Sequence, residues 1–90
     1  MAVDTKRDQE LVSHYIEVDP FRGRANARVK DRGVRVWAII AYLKGTNWDV
    51  SDAMRAYHLT PEMLEAAEAF YRLNRKYVDA KLLLNSDDAD

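Results

Sequence analysis

From His14 the chain alternates, with Tyr15 and Glu17 on one side and Ile16 and Val18 on the other, until Asp19-Pro20 closes the run. A period of two is that of a strand, and proline cannot donate to a ladder. FRGRANA (21–27) supplies glycine and asparagine for a turn. Alternation resumes over Arg28 to Val36, with Val34 and Val36 facing one side and Gly33 within the run. The pattern predicts a β-hairpin or extended arm over 15–36. At Val36 the period lengthens: Trp37, Ile40, Ala41, Leu43 and Lys44 fall at helical spacing, and Gly45 is the expected left-handed stop. Asp49 and Asp52 resemble a capping box, and Val50, Ala53, Met54 and Tyr57 share one face, predicting a second short helix that ends near Tyr57-His58. Leu59-Thr60-Pro61-Glu62 starts a third: threonine caps, proline at the first helical position loses no bond, and glutamate opposes the positive end of the dipole.

No breaker interrupts 61–84, about 24 residues or roughly 36 Å if continuous. That is longer than a three-helix core needs. Leu64, Ala67, Tyr71, Asn74 and Val78 form one stripe and Met63, Ala66, Phe70, Leu73 and Tyr77 an adjoining one. So broad an apolar face implies either a bend near Asn74 into a separate helix or an arm that packs on another subunit. Phe70, Tyr71, Asn74, Tyr77, Val78 and Leu82 are the candidate interface residues. Lys6 to Ser13 is polar apart from Leu11 and Val12, so residues 1–14 read as a flexible or short helical N-terminus and 85–90 as an acidic tail. The expected fold is mainly α, with a short N-terminal β-hairpin or arm (15–36), a helix-turn-helix-like three-helix core and a long C-terminal helix (36–84), all one domain.

Composition narrows the class. Ninety residues, 48% apolar and 32% charged, make one globular domain with a small core. The longest apolar run, VWAIIAYL (36–43), is far short of a bilayer span, and no signal-peptide core precedes it, so a cytoplasmic protein without a membrane partner is expected. With no cysteine there is no disulfide to support the core, which leaves packing, and a homodimer interface is expected to add to it.

Charge is unevenly placed. Residues 1–21 carry two basic and five acidic side chains (net −3), 22–44 seven against one (net +6), and 45–90 five against nine (net −4). Arg22, Arg24, Arg28, Lys30, Arg32 and Arg35 are therefore the candidate DNA contacts, in an arm of the kind that enters grooves as a two-stranded ribbon. The competing reading gives these cations to a solvated surface or to carboxylates of the same chain. The would-be recognition helix from Pro61 presents Glu62, Glu65 and Glu68 and no basic residue before Arg72, which opposes phosphate binding, so the major groove is not assigned to it. Trp37, Trp48, Tyr42 and Tyr57 read as core rather than a base-stacking platform.

Catalytic patterns are sparse. Three serines and two histidines, His14 and His58, stand outside any HExxH or GxSxG pattern. No catalytic residue, metal site or cofactor is assigned, and a non-enzyme is expected.

YIEVDP (15–20), RGVRV (32–36), the Trp48–Tyr57 helix, LTPEMLEAAEAFY (59–71) and NRKYVDA (74–80) resemble, in order and spacing, the domain of unknown function 433 family, small bacterial and archaeal proteins regarded as predicted antitoxins of toxin–antitoxin modules. The resemblance covers Tyr15 to about Leu84. It implies a helix-turn-helix-like fold with an N-terminal β element, dimerisation and a neighbouring gene for a nuclease-like toxin. Gly33 and Arg35 match the family's glycine and arginine, Tyr57 its tyrosine after the middle helix, and Leu59, Thr60 and Pro61 its cap. Val34 stands where the family has threonine, and RGRANARVK (22–30) replaces its glycine-rich lead. The expected function is that of a non-enzymatic antitoxin-like regulator with a toxin partner and promoter DNA; the alternative is a homodimeric interaction module without DNA binding.

Overall fold

The computed structural model describes residues 5–88. The described residues form five helices and a two-stranded antiparallel ribbon: α1 (Thr5–Tyr15), β1 (Ile16–Glu17), β2 (Arg28–Val29), α2 (Val36–Gly45), α3 (Val50–Tyr57), α4 (Pro61–Leu73) and α5 (Arg75–Asp88). The mainly helical architecture with a short N-terminal hairpin is as expected; the details differ chiefly at four places.

The first is α1. Asp8, Leu11, Val12 and Tyr15 fall at i, i+3, i+4 and i+7, the spacing of an apolar stripe, with an aspartate in its first position. Leu11, Val12 and Tyr15 pack on the core, and Asp8 is buried beside them, 5% exposed. The charge is tolerated because Arg72 of α4 reaches it with two hydrogen bonds, Nη2 to Oδ1 at 2.9 Å and Nε to Oδ2 at 3.1 Å. A second pair, Arg7 with Glu65, crosses the same helix contact. The packed body therefore extends N-terminally of Tyr15.

The second is the ribbon. Each strand has two residues, with Ile16 opposite Val29 and Glu17 opposite Arg28. The expected long strand to Val36 is instead a tight turn: Val29 N–H donates to Val34 C=O, Gly33 N–H to Val29 C=O, and Arg28 bridges Arg35. Gly33 closes that turn at φ 67°, a left-handed conformation, with open space where a Cβ would stand. Gly33→Ala is therefore expected to cost about 1 kcal/mol from backbone strain alone, read as a shift of the urea midpoint.

The third is the α2–α3 turn. Gly45 remains helical, and the left-handed residues are Asn47 (φ 55°) and Trp48 (φ 64°). The turn holds because Trp48 N–H donates to Leu43 C=O at 2.6 Å, Thr46 Oγ1 donates to Tyr42 C=O at 3.0 Å, and the Trp48 indole N–H donates to Glu68 Oε2 at 2.7 Å. Trp48 thus spans the turn to α4.

The helix boundaries from there match expectation up to Asn74, but α5 continues to Asp88 through residues expected to be an acidic tail (85–90), of which 89–90 lie outside the described residues. Asp49 accepts from Asp52 N–H at 3.0 Å, His58 ends α3 in a left-handed conformation, and Thr60 accepts from Met63 N–H at 3.2 Å with Pro61 at the first position. The bend at Asn74 is real. Its N–H donates to Phe70 and Tyr71 carbonyls, its Nδ2 to Phe70 C=O, and its own carbonyl accepts from Tyr77 and Val78 as α5 begins.

The fourth is the role of α4. It is the central element, with α1, α2, α3, α5 and β1 packed around it. Met63, Leu64, Ala66, Ala67, Phe70 and Tyr71 pack with Ile39, Ile40 and Leu43 of α2 and Val78 of α5 in one core, and Ala69 is also buried.

Candidate functional site

Each of the six arm cations has a partner within the chain. Arg22 Nε lies 3.8 Å from Asp19 Oδ2, Arg28 pairs with Glu17 across the ribbon, and the Arg24 guanidinium sits 5.3 Å from the centre of the Tyr77 ring. The other three donate to carbonyls at helix or turn ends: Lys30 Nζ to Ser13 C=O at 2.8 Å, Arg32 Nε to His58 C=O at 2.6 Å, and Arg35 Nη1 to Asn26 C=O at 3.2 Å. Ser13 lies in the last turn of α1, His58 caps α3, and Asn26 ends a 3-10 turn (Arg24–Asn26). Those positions carry unsatisfied carbonyls and the negative end of the dipole, so a cation there stabilises the helix end it touches. Much of the +6 stretch is thus accounted for by the fold's own carbonyls and carboxylates. Arg35 in particular is neither an ion pair nor an isolated surface charge.

Of the six candidate interface residues, the fold removes three. Phe70, Tyr71 and Val78 are buried in the chain's own core, because α1 and α2 cover the side of α4 that sequence alone left bare. Asn74 is half-buried in the α4–α5 junction, and Leu82 packs half-buried on the core. Tyr77 is exposed. It begins a stripe along α5 that continues through Ala80, Leu83 and Leu84, with Leu83 and Leu84 66% and 61% exposed. Lys76 and Lys81 lie on the same helix, and Arg24 overlies the Tyr77 end of the stripe.

Two polar networks lie away from the stripe. The Tyr42 hydroxyl donates to Asp52, which also pairs with Arg55; this lowers the Asp52 pKa and raises that of Tyr42. The Tyr71 hydroxyl donates to Asp79 at 2.8 Å and lowers its pKa, helped by Lys44, while Lys44 and Arg75 lie over the Tyr71 ring. Both networks tie helices together, α2 to α3 and α4 to α5. His14 stacks edge-on against Tyr15, and among the described residues no group of three or more acidic, histidine or cysteine side chains is placed to hold a metal ion. No described helix is long and apolar enough to cross a membrane.

A cleft of about 380 Å³ opens beside β1, lined by Glu17, Val18, Asp19, Pro20, Phe21 and Arg28. Phe21 at its edge is 96% exposed. Sequence reasoning passed over it as part of a turn. The available signal was a large apolar residue directly after a proline and outside any helical or strand period.

The chain matches no family model, no curated protein and no solved structure.

Proposed function

We propose that the chain is a non-enzymatic, cytoplasmic, antitoxin-like regulator that acts by binding another protein. The observation that carries the reading is the uncovered stripe of α5. Its opposite side, with Val78 and Leu82, is packed on the core, while Tyr77, Leu83 and Leu84 meet solvent. Exposed leucines on one helix, with a tyrosine beside them, suit an apolar groove on another protein. The partner in this reading is the toxin encoded beside it.

Promoter DNA is the weaker half of the proposal. The arm cations retain exposed donors, but each already has a partner, and α4, in the position of a recognition helix, is enclosed by its neighbours. Any DNA affinity then rests on non-specific phosphate contacts and falls steeply with salt.

The test is co-purification with the adjacent gene's product. Leu83→Glu with Leu84→Glu is expected to abolish the complex while shifting the thermal melt by no more than about 4 °C for residues so exposed. An undiminished complex would remove α5 from the interface. Salt-dependent retention on the upstream duplex, with Arg24→Ala and Arg28→Ala as the control, decides the DNA half.

A further inference from the structure

We propose that α1 is a strap: its N-terminal half lifts off α4 while the rest of the fold stands, and in place it is an autoinhibitory cover over the α4 face that carries Glu65, Ala69 and Arg72. The proposal is independent of the α5 stripe.

The strap character follows from how α1 is held. Among residues 6–15 the only buried side chain is that of Asp8; Leu11, Val12 and Tyr15 are half-buried and the others exposed. α2, by contrast, buries Val36, Ile39, Ile40 and Leu43. With little apolar surface removed from water, attachment rests on the Asp8–Arg72 pair and on Arg7 with Glu65, whose side chains are 58% and 40% exposed. An exposed pair adds little, and an enclosed pair is close to break-even because each charge regains its hydration when the two separate. Lifting separates both partners at once, so no charge stays buried, in contrast to the loss of one partner by mutation. The C-terminal end is pinned by Lys30, whose Nζ donates to Ser13 C=O at 2.8 Å and whose N–H donates to Tyr15 C=O at 2.9 Å. That end is the hinge. An 11-residue helix freed from its support does not persist in water, so the lifted strap also unwinds.

Ala69 marks what lifting uncovers. It is 0% exposed, yet it lies outside the core cluster that takes in its neighbours Ala66, Ala67 and Phe70. One helical turn separates it from Glu65 on one side and from Arg72 on the other, the two α4 residues that reach α1, so α1 is what covers it. The uncovered face is a small residue between a released carboxylate and a released guanidinium. α1 itself shows what fits there: a helix that lies over the alanine and offers a cation to Glu65 and a carboxylate to Arg72. The occupant is therefore an amphipathic helix of a partner protein bearing that charge pair, and α1 competes with it from within the chain.

With no cysteine in the chain, thiol labelling reads the opening directly. Ala69→Cys should react with dithiobisnitrobenzoate on the order of a hundredfold faster than Ala67→Cys, which is equally buried but opens only with the core. Arg72→Met should speed labelling at position 69 by about tenfold. In the unmodified chain, a glutamyl protease should cut after Glu10 at a rate that about 1 M urea hardly changes, since a local opening exposes little new surface. In a chain carrying Asp8→Lys with Ala69→Cys, whose strap Arg72 repels, a synthetic copy of residues 5–15 at about millimolar concentration should slow labelling about twofold, and a copy bearing Asp8→Lys should not. Equal rates at positions 69 and 67, cleavage after Glu10 that rises with urea as steeply as global unfolding, or labelling unmoved by the peptide would each overturn the proposal. Failure of toxin co-purification leaves all of these rates as they are and sinks only the α5 reading.

Discussion

Arg72→Met is expected to lower stability by about 2 kcal/mol, or roughly 10 °C in melting temperature, and to release α1 from α4. The reason is the carboxylate left behind. Asp8 is almost fully enclosed and its two hydrogen bonds come from Arg72, so the variant buries a charge without its strongest partner. The Arg72 side chain is itself 43% exposed, which lets water reach the site and keeps the loss below that of a fully buried pair. Asp8→Asn in the same chain should recover part of it.

The pH dependence carries a sign that separates this account from simple loss of packing. Hydrogen bonds from Arg72 lower the Asp8 pKa, against an opposing contribution from burial, and Tyr42 and Tyr71 lower those of Asp52 and Asp79. A carboxyl group whose pKa is lower in the folded state contributes stability that is fully present above its unfolded value and is lost as pH falls through its folded value. The parent protein should therefore lose stability below about pH 5. Without Arg72, burial instead raises the Asp8 pKa, so protonation relieves the buried charge. Urea melts at neutral pH and in mild acid should show the gap between parent and variant narrowing as pH falls; a constant gap would contradict the role given to Asp8.

Ile40→Ala is expected to be the most damaging single apolar truncation tested, at about 3 kcal/mol. Ile40 is fully buried in α2, within the layer that meets α4. A domain of this size has on the order of 5–13 kcal/mol in all, so one such cavity removes a large part of it. Ile40→Val, which keeps most of the side chain, should cost about 1 kcal/mol. Equal losses for the two would mean that the site relaxes around the missing atoms.

Signals local to a few residues were legible in the sequence. Thr60-Pro61 places the start of α4, Asp49 caps α3, and of the two readings the 61–84 run allows, a bend near Asn74 or an arm on another subunit, the chain shows the bend. Long-range complementarity was not legible. Asp8 breaks the apolar stripe of α1, and its suitability for burial depends on Arg72, sixty-four residues away. Because α1 was not counted, the apolar width of α4 appeared surplus, and Phe70, Tyr71 and Val78 were assigned to a partner that the chain itself supplies. The arm cations show the same limitation. A run of arginines predicts an anion, whereas Lys30, Arg32 and Arg35 meet backbone carbonyls whose positions only the folded chain defines. Two left-handed residues at Asn47-Trp48 in place of Gly45 reflect tertiary anchoring by Glu68 overriding local preference.

The contact between α1 and α4 also sets an order of events during synthesis. α1 leaves the ribosome before α4, whose Arg72 is encoded sixty-four residues after Asp8, so Leu11, Val12 and Tyr15 wait for that stretch to appear. The local units, the ribbon turn and the α2–α3 pair, have their partners close at hand, and closing the long N-terminal loop comes after them. A helix made before the surface it packs on thus docks after that surface forms, and in the finished protein α1 is the element whose backbone amides should exchange with solvent ahead of those of α2 and α4.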